Sequence, residues 1–260
     1  MGENDRKYIQ VEINDKIGYV TLDRAPANAF VPEMYMELAH AMYELGEEKG
    51  VAVVVLRANG RMFCAGNDTS DFSSFDNIDL AADNMYYPIQ AFSSIWNNKK
   101  PVIAAVNGAC MGIGFAMALV SDFIIASENA KFGMPEVKLG IPAAACFLQA
   151  SLPLHVAKRL AFTGDFVTAS ELERWGVVMK VTSADALWSA ADELAHKLAA
   201  SCYRAVSVLK QNYHRNYDPH FADKFRVEQQ SFFDHMLFSH DFKEAIAAYN
   251  EKRKPEFTGE

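Results

Sequence analysis

The sequence lacks the features that mark several protein classes. Its 260 residues include four cysteines, none of them in a CxxC pair or at a Cys/His spacing that holds a metal. No stretch approaches the roughly 20 uncharged apolar residues of a membrane span, and no N-terminal stretch joins a basic flank to a long apolar run. We therefore expect neither a disulfide-stapled or metal-stapled protein nor one that spans a membrane.

An excess of basic residues is also missing. Lysine and arginine number 25 against 33 acidic residues, which gives a formal net charge of -8. A chain with this balance has no global attraction to nucleic acid or to an anionic membrane, and its one dense basic cluster is at residues 252–254. We expect a cytoplasmic protein with no nucleic-acid and no membrane partner, whose cysteines are buried reduced thiols: Cys64, Cys110, Cys146 and Cys202.

Apolar residues make up half of the chain and follow strand and helix patterns. Alternating runs at 8–13 and 17–22 predict a β-hairpin, and the unbroken apolar run at 51–56 predicts a strand buried on both faces. The further predictions are helices from Pro32 to 49, over 81–96 and from Gly112 to 121, with strands over 102–106 and 123–126. Strands that alternate with helices indicate βαβ units in a parallel sheet or spiral.

The second half of the chain is largely helical in pattern. Gly164 is a predicted C-cap, Thr168 a predicted N-cap, and 177–181 a late strand. Three or four amphipathic helices are predicted between 184 and 249. We interpret 1–188 as the core and 189–260 as a helical region that covers the core or another subunit, within one folding unit.

Two segments rich in small residues are the most informative. The first is FCAGND, from Phe63 to Asp68, and the second is NGACMGIG, from Asn107 to Gly114. Glycine lets the backbone approach a ligand closely, and two N–H groups that converge on one oxygen form an oxyanion hole. The first segment also fits an ordinary strand-to-loop turn, and the second fits glycines that pack a helix against a strand.

Taken with FGMPEVKLGIP, from Phe132 to Pro142, and the C-terminal EKRKP at 251–255, these turns resemble the crotonase superfamily of enoyl-CoA hydratases and isomerases. The resemblance covers essentially the whole chain. It implies an α/β fold with a crotonase-like ββα spiral core and a C-terminal α-helical region for trimerisation. It also implies an acyl-CoA thioester as substrate, coenzyme A as part of that substrate with no other cofactor and no metal, and a homotrimer or hexamer.

The resemblance assigns the two oxyanion-hole amides and a catalytic carboxylate. The amides are those of Asn67, after the first turn's glycine, and Ile113, in the second turn. Relatives have glycine where Ile113 stands, but any residue except proline has an N–H to offer. Glu136 matches the family's second glutamate, although a lone glutamate is more often a surface residue.

The resemblance further implies contacts with the CoA thioester from Arg24, Ala27, Ala65, Gly66, Asp68, Gly112, Tyr249 and Lys252. An aromatic ring such as Tyr249 can stack on adenine, and Lys252 offers a charge to phosphate. The alternative for these two residues is a solvated helix end whose cations complement the helix dipole. For Asp68, a cap of the following turn or helix is the preferred interpretation over a catalytic acid.

Two departures from the family pattern bear on the reaction. Ala116 stands where hydratases have their first glutamate, and Ala143 stands near the position at which peroxisomal-type isomerases have one. With Glu136 as the remaining carboxylate, the sequence resembles mitochondrial-type Δ3,Δ2-enoyl-CoA isomerases, in which one carboxylate takes a proton from C2 and returns it at C4. We therefore predict an enoyl-CoA isomerase.

Two alternatives stay open. One is an enoyl-CoA hydratase or other lyase in which a different group replaces the missing glutamate. The other is a CoA-thioester-binding protein with little turnover, which Ala116 and the alanines at 143–145 favour. The acyl group stays undefined, because the resemblance assigns the pocket wall to the variable 70–100 segment. The aromatic residues of this segment also fit a core: Tyr86, Tyr87, Phe92 and Trp96.

Overall fold

The computed structural model describes residues 6–68, 78–143, 145–217 and 220–259. Its strands are β1 (Ile9–Asn14), β2 (Ile17–Leu22), β3 (Val53–Ala58), β4 (Met62–Cys64), β5 (Val102–Val106), β6 (Ala109–Met111), β7 (Phe123–Ser127), β8 (Lys131–Gly133), β9 (Phe166–Thr168) and β10 (Lys180–Thr182). Its α-helices are α1 (Pro32–Glu47), α2 (Ile78–Trp96), α3 (Ile113–Val120), α4 (Ala145–Ser151), α5 (Leu154–Thr163), α6 (Ala169–Arg174), α7 (Leu187–Ala199), α8 (Tyr203–Tyr217), α9 (Phe221–His235) and α10 (His240–Asn250).

The strands form two sheets. Six strands lie in the order β1-β2-β3-β5-β7-β10, and the other four in the order β4-β6-β8-β9. Neighbours are parallel except β1 with β2 and β8 with β9. Along the chain, a strand of the larger sheet, a strand of the smaller sheet and a helix follow one another in β3-β4-α2, β5-β6-α3 and β7-β8-α4. This repeat is the expected ββα spiral.

The inner strands of the larger sheet, β2, β3, β5 and β7, are buried on both faces, which explains their apolar sequences. In β3, Val54 and Leu56 belong to the main core, whereas Val53 and Val55 lie on the opposite face in a cluster with Leu187 of α7. Successive side chains of a strand point to opposite faces, so an unbroken apolar run suits a strand covered on both sides. The cover of the second face is α7, and the division expected after residue 188 falls within this helix.

Several local predictions are confirmed. The first two strands pair as an antiparallel hairpin, and α1 begins at Pro32. Thr168 caps α6 in a capping box, since its side chain accepts the N–H of Glu171 while the Glu171 carboxylate accepts the N–H of Thr168. Gly164 ends α5 in the left-handed conformation, at φ 62°. These turns and caps could be predicted from the sequence because they depend on residues close together in the chain.

Two predictions were wrong in detail. The late strand is Lys180–Thr182 rather than 177–181, because the amides of Val177 and Val178 both donate to the carbonyl of Leu172 at the end of α6. Cys202 is exposed, because it lies in the connection between α7 and α8, whereas the other three cysteines are buried free thiols.

In the part of the chain that the structure describes, no helix combines the length and apolar character needed to cross a membrane. The same ranges hold no group of three or more His, Cys, Asp or Glu side chains placed to bind a metal ion.

Candidate active site

Three neighbouring strands of the smaller sheet end at one place. β4, β6 and β8 are parallel neighbours, so their carboxyl ends lie at the same edge. Gly66 and Asn67 follow β4, Gly112 and Ile113 follow β6, and Glu136 follows β8. Ligands of parallel sheets bind beyond the carboxyl ends of strands. Strand pairing therefore assembles the segments that the sequence had singled out separately.

The first turn presents the amide of Asn67. Phe30 pairs with Asn67 in an isolated parallel bridge, in which the Phe30 N–H donates to Gly66 O and the Asp68 N–H donates to Phe30 O, both at 2.9 Å. This bridge uses the groups that flank Asn67. Since successive amides of an extended chain point in opposite directions, the Asn67 N–H faces away from Phe30. Among the described residues, no hydrogen-bond acceptor for it is found.

Tyr35 holds the side chain of Asn67. The Tyr35 hydroxyl donates to Asn67 Oδ1 at 2.5 Å, and its ring packs against Phe30 with centroids 4.8 Å apart. Burial raises the pKa of Tyr35 well above its usual value, and Cys64 and Glu136 raise it further. The hydroxyl therefore stays protonated and acts as a donor. Tyr35 carries no motif in the sequence, and its one signal is a polar hydroxyl on the buried face of α1.

The second turn opens α3. Gly112 is the N-cap residue, at φ 54°, and its N–H donates to Gly133 O at 2.9 Å. Ile113 is the first helical residue, and first-turn amides have no acceptor within their own helix. No acceptor for the Ile113 N–H is found elsewhere in the described ranges. Like Asn67, Ile113 can offer its backbone N–H to a ligand.

The glycines of the second turn have separate purposes. A Cβ atom on Gly112 would lie 2.3 Å from Glu136 Oε1 and 3.8 Å from Gly66 Cα, so Gly112 leaves the space that the carboxyl group occupies. A Cβ atom on Gly114 would lie 2.7 Å from Cys64 Cβ, so Gly114 lets α3 pack closely on the end of β4. One glycine therefore makes room for the Glu136 carboxyl, and the other makes room for the neighbouring strand.

A 3-10 turn over Pro135–Leu139 carries Glu136, and Gly140 ends it in the left-handed conformation at φ 69°. The Glu136 carbonyl accepts the N–H of Ile141 at 3.0 Å. The Lys138 ammonium donates to the carbonyl of Gly164, the C-cap residue of α5, at 2.8 Å. These bonds fix the backbone on which the Glu136 carboxyl is mounted.

Burial raises the pKa of Glu136 from its ordinary 4.5 to about 7. A hydrogen bond with its own backbone amide lowers the pKa, and the charge of Glu228 raises it. The residue as a whole is half-buried, but Oε2 is shielded from solvent and has no hydrogen-bond partner in the described structure. A carboxyl group with a pKa near 7 can both take and return a proton at neutral pH.

Glu136, Asn67 and Ile113 line one cavity of about 120 Å³. Ala116 and Ala143, at or near which the family resemblance would place further glutamates, also line it and bring no carboxyl group to the cavity. Much of the remaining wall is aromatic: Phe92, Phe147, Phe225 and Phe232.

Of the aromatic residues expected near this wall, Phe92 lines the cavity and the others do not appear in its described lining. Phe92 packs edge-on against Phe147 and Phe225, with centroids 5.0 and 5.5 Å apart. Trp96 instead stacks on His214 at 4.0 Å. Tyr86 is exposed and the neighbouring Tyr87 is half-buried. Residues 70–77 of the expected wall lie outside the described residues.

A second cavity, of about 400 Å³, shares Asn67, Gly112 and Glu136 with the first. Its wall includes four of the residues implied as CoA contacts, which are Gly112, Ala65, Gly66 and Tyr249, and adds two basic ones, Lys138 and Arg253. Arg253 donates to the Glu244 and Glu251 carboxylates. An aromatic ring and a lysine beside Asn67 suit a ligand with a base and phosphates, whereas the charge of Arg253 is already matched by two carboxylates.

Four of the implied CoA contacts lie outside the described linings of both cavities: Arg24, Ala27, Asp68 and Lys252. Arg24 pairs with Asp68 at 2.7 Å and donates to a carbonyl of its own loop at 2.8 Å. The Ala27 carbonyl accepts the N–H of Ala65 at 3.0 Å. This loop thus braces the first turn, while Lys252 is exposed after α10.

One face of α9 adds two polar residues that no sequence motif reveals. Phe225, Glu228, Gln229 and Phe232 follow the spacing i, i+3, i+4, i+7 and all line the first cavity. The first two amides of α4 donate to the Glu228 carboxylate at 3.1 and 2.8 Å. The available signal in the sequence was a pair of polar residues in an otherwise aromatic helix stripe.

The chain matches a family model described as Enoyl-CoA hydratase/isomerase over residues 12–260. It is 38% identical over 192 residues, 74% of this chain and 78% of the relative, to the (7aS)-7a-methyl-1,5-dioxo-2,3,5,6,7,7a-hexahydro-1H-indene-carboxyl-CoA hydrolase of Mycobacterium tuberculosis. It is 32% identical over 247 residues, 92% of this chain and 94% of the relative, to the carnitinyl-CoA dehydratase of Proteus mirabilis. A solved structure of methylmalonyl-CoA decarboxylase in complex with 2-nitronate-propionyl-CoA is similar with a TM-score of 0.83, at 25% identity over 98% of this chain and 99% of that chain.

The names of these three proteins share a CoA thioester and differ in the reaction, which is hydrolysis, dehydration or decarboxylation. The family match extends over nearly all of the chain, and the ββα spiral is the fold of the structural relative. The chain therefore belongs to the enoyl-CoA hydratase/isomerase family, within the crotonase superfamily of acyl-CoA enzymes.

Proposed function

We propose that this protein is a Δ3,Δ2-enoyl-CoA isomerase. The observation that carries the proposal is a desolvated Glu136 carboxyl in one cavity with the Asn67 and Ile113 amides, while the cavity wall has alanines at Ala116 and Ala143, where the family resemblance would place or neighbour a further glutamate. Moving a double bond needs one group that takes a proton and returns it, whereas adding water also requires that the water be activated. A single proton-exchanging carboxyl suits the first reaction.

In this proposal the Asn67 and Ile113 amides bind the thioester oxygen. Loss of the C2 proton places negative charge on that oxygen, and two fixed N–H donors stabilise the charge as it develops. The positive end of α3 contributes in the same direction. Tyr35, through its bond to Asn67 Oδ1, limits movement of the first turn.

Glu136 is the proton carrier. Its carboxylate takes a proton from C2 of a 3-enoyl-CoA, and the electron pair of the broken C–H bond is delocalised over a dienolate that extends to the thioester oxygen. The carboxylic acid then gives the proton to C4, the C2–C3 double bond forms, and the carboxylate is regenerated. The reaction consumes no water and no second reactant, and a pKa of about 7 keeps both forms of Glu136 populated at neutral pH.

We assign the CoA part of the substrate to the second cavity. Support comes from Tyr249, whose ring can stack on adenine, and from Lys138, which offers charge to phosphates. Contacts from Arg24, Ala27, Asp68 and Lys252 stay predictions. Assembly through residues 189–260 into a trimer or hexamer, and a cytoplasmic location, are predictions of the same kind.

The test incubates the purified protein with a 3-enoyl-CoA and, separately, with a 2-enoyl-CoA. The wild type should convert the first into the 2-enoyl isomer, and Glu136→Gln should lose this activity. Glu193→Gln is the matched control, since Glu193 is an exposed residue of α7 that forms an ion pair with Lys180. Fast hydration of the 2-enoyl substrate would overturn the proposal, as would binding of the thioester with neither reaction.

Hydration or dehydration is the second candidate function. Glu228 lines the cavity together with Glu136, and a second carboxylate is what activation of water requires. The Proteus mirabilis relative, at 32% identity, is named as a dehydratase. This function predicts hydration of 2-enoyl-CoA that is lost in both Glu136→Gln and Glu228→Gln.

A further inference from the structure

We infer that the preferred acyl group carries a hydrogen-bond donor, a hydroxyl or an ammonium, and that Glu228 of α9 selects it. The inference rests on the proposed function in one respect, since it takes the acyl chain to occupy the cavity beside Glu136. It concerns the part of the acyl chain beyond the carbons on which Glu136 acts.

The α9 wall of the cavity is aromatic at its ends and polar in the middle. Phe225 and Phe232 are buried, and Glu228 and Gln229 lie between them on the same helix face. An acyl chain that fills this part of the cavity therefore meets a carboxylate and an amide. A purely apolar wall would be the expected complement of an unsubstituted fatty chain.

The Glu228 carboxylate is positioned before any ligand arrives. The amides of Ala145 and Cys146, at the start of α4, donate to Oε1 at 3.1 Å and to Oε2 at 2.8 Å. A carboxylate has about four acceptor sites, so this support is compatible with contact to a ligand. An acceptor held in place loses little side-chain freedom when it binds, which favours affinity and selectivity.

Selection follows from desolvation. An alkyl chain packed against Glu228 excludes water from the carboxylate and returns no hydrogen bond, whereas a hydroxyl or ammonium group donates one. A site that hydrogen-bonds its substrate rejects an analogue without the donor more strongly than an apolar pocket rejects a missing methylene. The wall therefore discriminates against plain chains as well as favouring substituted ones.

The two kinds of donor should respond differently to the neighbouring rings. Phe147 follows the two α4 amides and packs against Phe92 and Phe225, with centroids 5.0 and 5.1 Å apart. An ammonium can use an aromatic face together with the negative charge of Glu228. A hydroxyl depends on the acceptor oxygen alone. Removing only the charge of Glu228 should therefore weaken the binding of the ammonium compound more than that of the hydroxyl compound.

The first experiment measures the binding of saturated acyl-CoA thioesters of equal length that end in a methyl, a hydroxyl or an ammonium group. Saturated chains cannot isomerise, so calorimetry reports selectivity independently of the proposed reaction. The hydroxyl or the ammonium compound should bind roughly tenfold or more tightly than the methyl compound, the value of one hydrogen bond to a charged group. Equal affinity for all three would overturn the inference. Selectivity without isomerase activity would overturn the proposed function alone.

Two substitutions then assign the selectivity to Glu228. Glu228→Leu removes the acceptor and should abolish any preference over the methyl compound. Glu228→Gln keeps the hydrogen-bonding capacity without the charge, so it should abolish the ammonium preference and retain most of the hydroxyl preference. Asp234→Asn, an exposed position on the same helix, is the matched control and should change neither.

The remaining outcomes separate selection from support of α4. Thermal unfolding of each variant reports whether the helix contact has weakened the fold, and Glu228→Gln carries the test should Glu228→Leu fail to fold. A uniform loss of affinity for all three compounds would make Glu228 a structural residue and overturn the inference. Turnover lost for every chain, with the binding preferences unchanged, would instead place Glu228 in the second candidate reaction.

Discussion

Glu136 and Glu228 line the same cavity and are held in opposite ways. Glu136 Oε2 has no hydrogen-bond partner in the described structure, and burial raises the pKa of Glu136 to about 7. Glu228 instead accepts two backbone amides from α4. A desolvated carboxyl with one unpartnered oxygen is suited to exchange a proton, whereas a carboxylate whose two oxygens are both held by amides is suited to accept a hydrogen bond. The surroundings, and not the residue type, separate the two roles.

The two glutamates are also carried by different parts of the fold. The turn that carries Glu136 follows β8, beside two other strand ends that supply Asn67 and Ile113. Glu228 is on α9, in the helical C-terminal region. We infer that the sheet side supplies the enolate chemistry proposed for this protein and that the helical side adapts the cavity to one acyl group.

The largest effect expected from this comparison is on turnover. Glu136→Gln should lower kcat for 3-enoyl-CoA isomerisation by about two to four orders of magnitude, because general acid–base catalysis contributes that much. Glu228→Gln should leave kcat for a good substrate within about tenfold of the wild type, since it would lose one hydrogen bond. Steady-state kinetics of both variants test this, and equal losses would erase the distinction.

Gly112→Ala should have the next largest effect. The added Cβ would lie 2.3 Å from Glu136 Oε1, so the carboxyl must move, and a displacement of about 1 Å costs on the order of 100-fold in rate. Gly176→Ala is the matched control, because Gly176 also has a positive φ, at 75°, and has open space around it. Both variants should lose stability from backbone strain. Unchanged kcat in Gly112→Ala would show that the position of the carboxyl is not critical.

The sheet side of the site was largely predictable because its information is local. Glycines mark the two turns, and the Phe132–Pro142 run marks Glu136. The three-residue strands of the smaller sheet were not predicted, since they are too short to show an alternating pattern. These strands nevertheless bring Asn67, Ile113 and Glu136 together, so the motifs gave the parts while strand pairing gave their arrangement.

The helical side was not predicted, because its information is not local. Glu228 contacts amides 82 and 83 residues earlier in the chain, and nothing near it in sequence marks a site. Tyr35 reaches Asn67 across 32 residues in the same way. Polar residues on otherwise buried helix faces were the available sign, but such residues also occur as ordinary structural contacts.

The raised pKa of Glu136 predicts a pH dependence of stability. Because the folded-state pKa of about 7 exceeds the ordinary 4.5, the folded protein binds more protons between these values, and stability falls as pH rises through that window. The loss is about 3 kcal/mol at most, from about 1.4 kcal/mol per pH unit. Glu136→Gln should therefore stabilise the protein at pH 8 relative to the wild type. Denaturant unfolding at pH 5 and pH 8 measures the difference.

Glu228→Gln is the contrasting variant in the same measurement. It weakens the support of α4 and removes only the repulsion that Glu228 exerts on Glu136, which is the smallest of the causes that shift the Glu136 pKa, so any gain at pH 8 should be smaller than that of Glu136→Gln. A matching gain in both variants would mean that the two carboxyl groups experience the same surroundings, contrary to the comparison.

The smallest predicted effect tests the support of the oxyanion side. Tyr35→Phe removes the donor to Asn67 Oδ1 and keeps the ring against Phe30, so kcat should fall about fivefold, the equivalent of about 1 kcal/mol for one hydrogen bond. Tyr43→Phe, at an exposed tyrosine on the same helix, should have no effect.

Asn67→Ala keeps the backbone N–H, so its loss of kcat should match that of Tyr35→Phe. The double variant should lose no more than either single variant, because both substitutions break the same contact. Additive losses would show that Tyr35 acts on the site by another route.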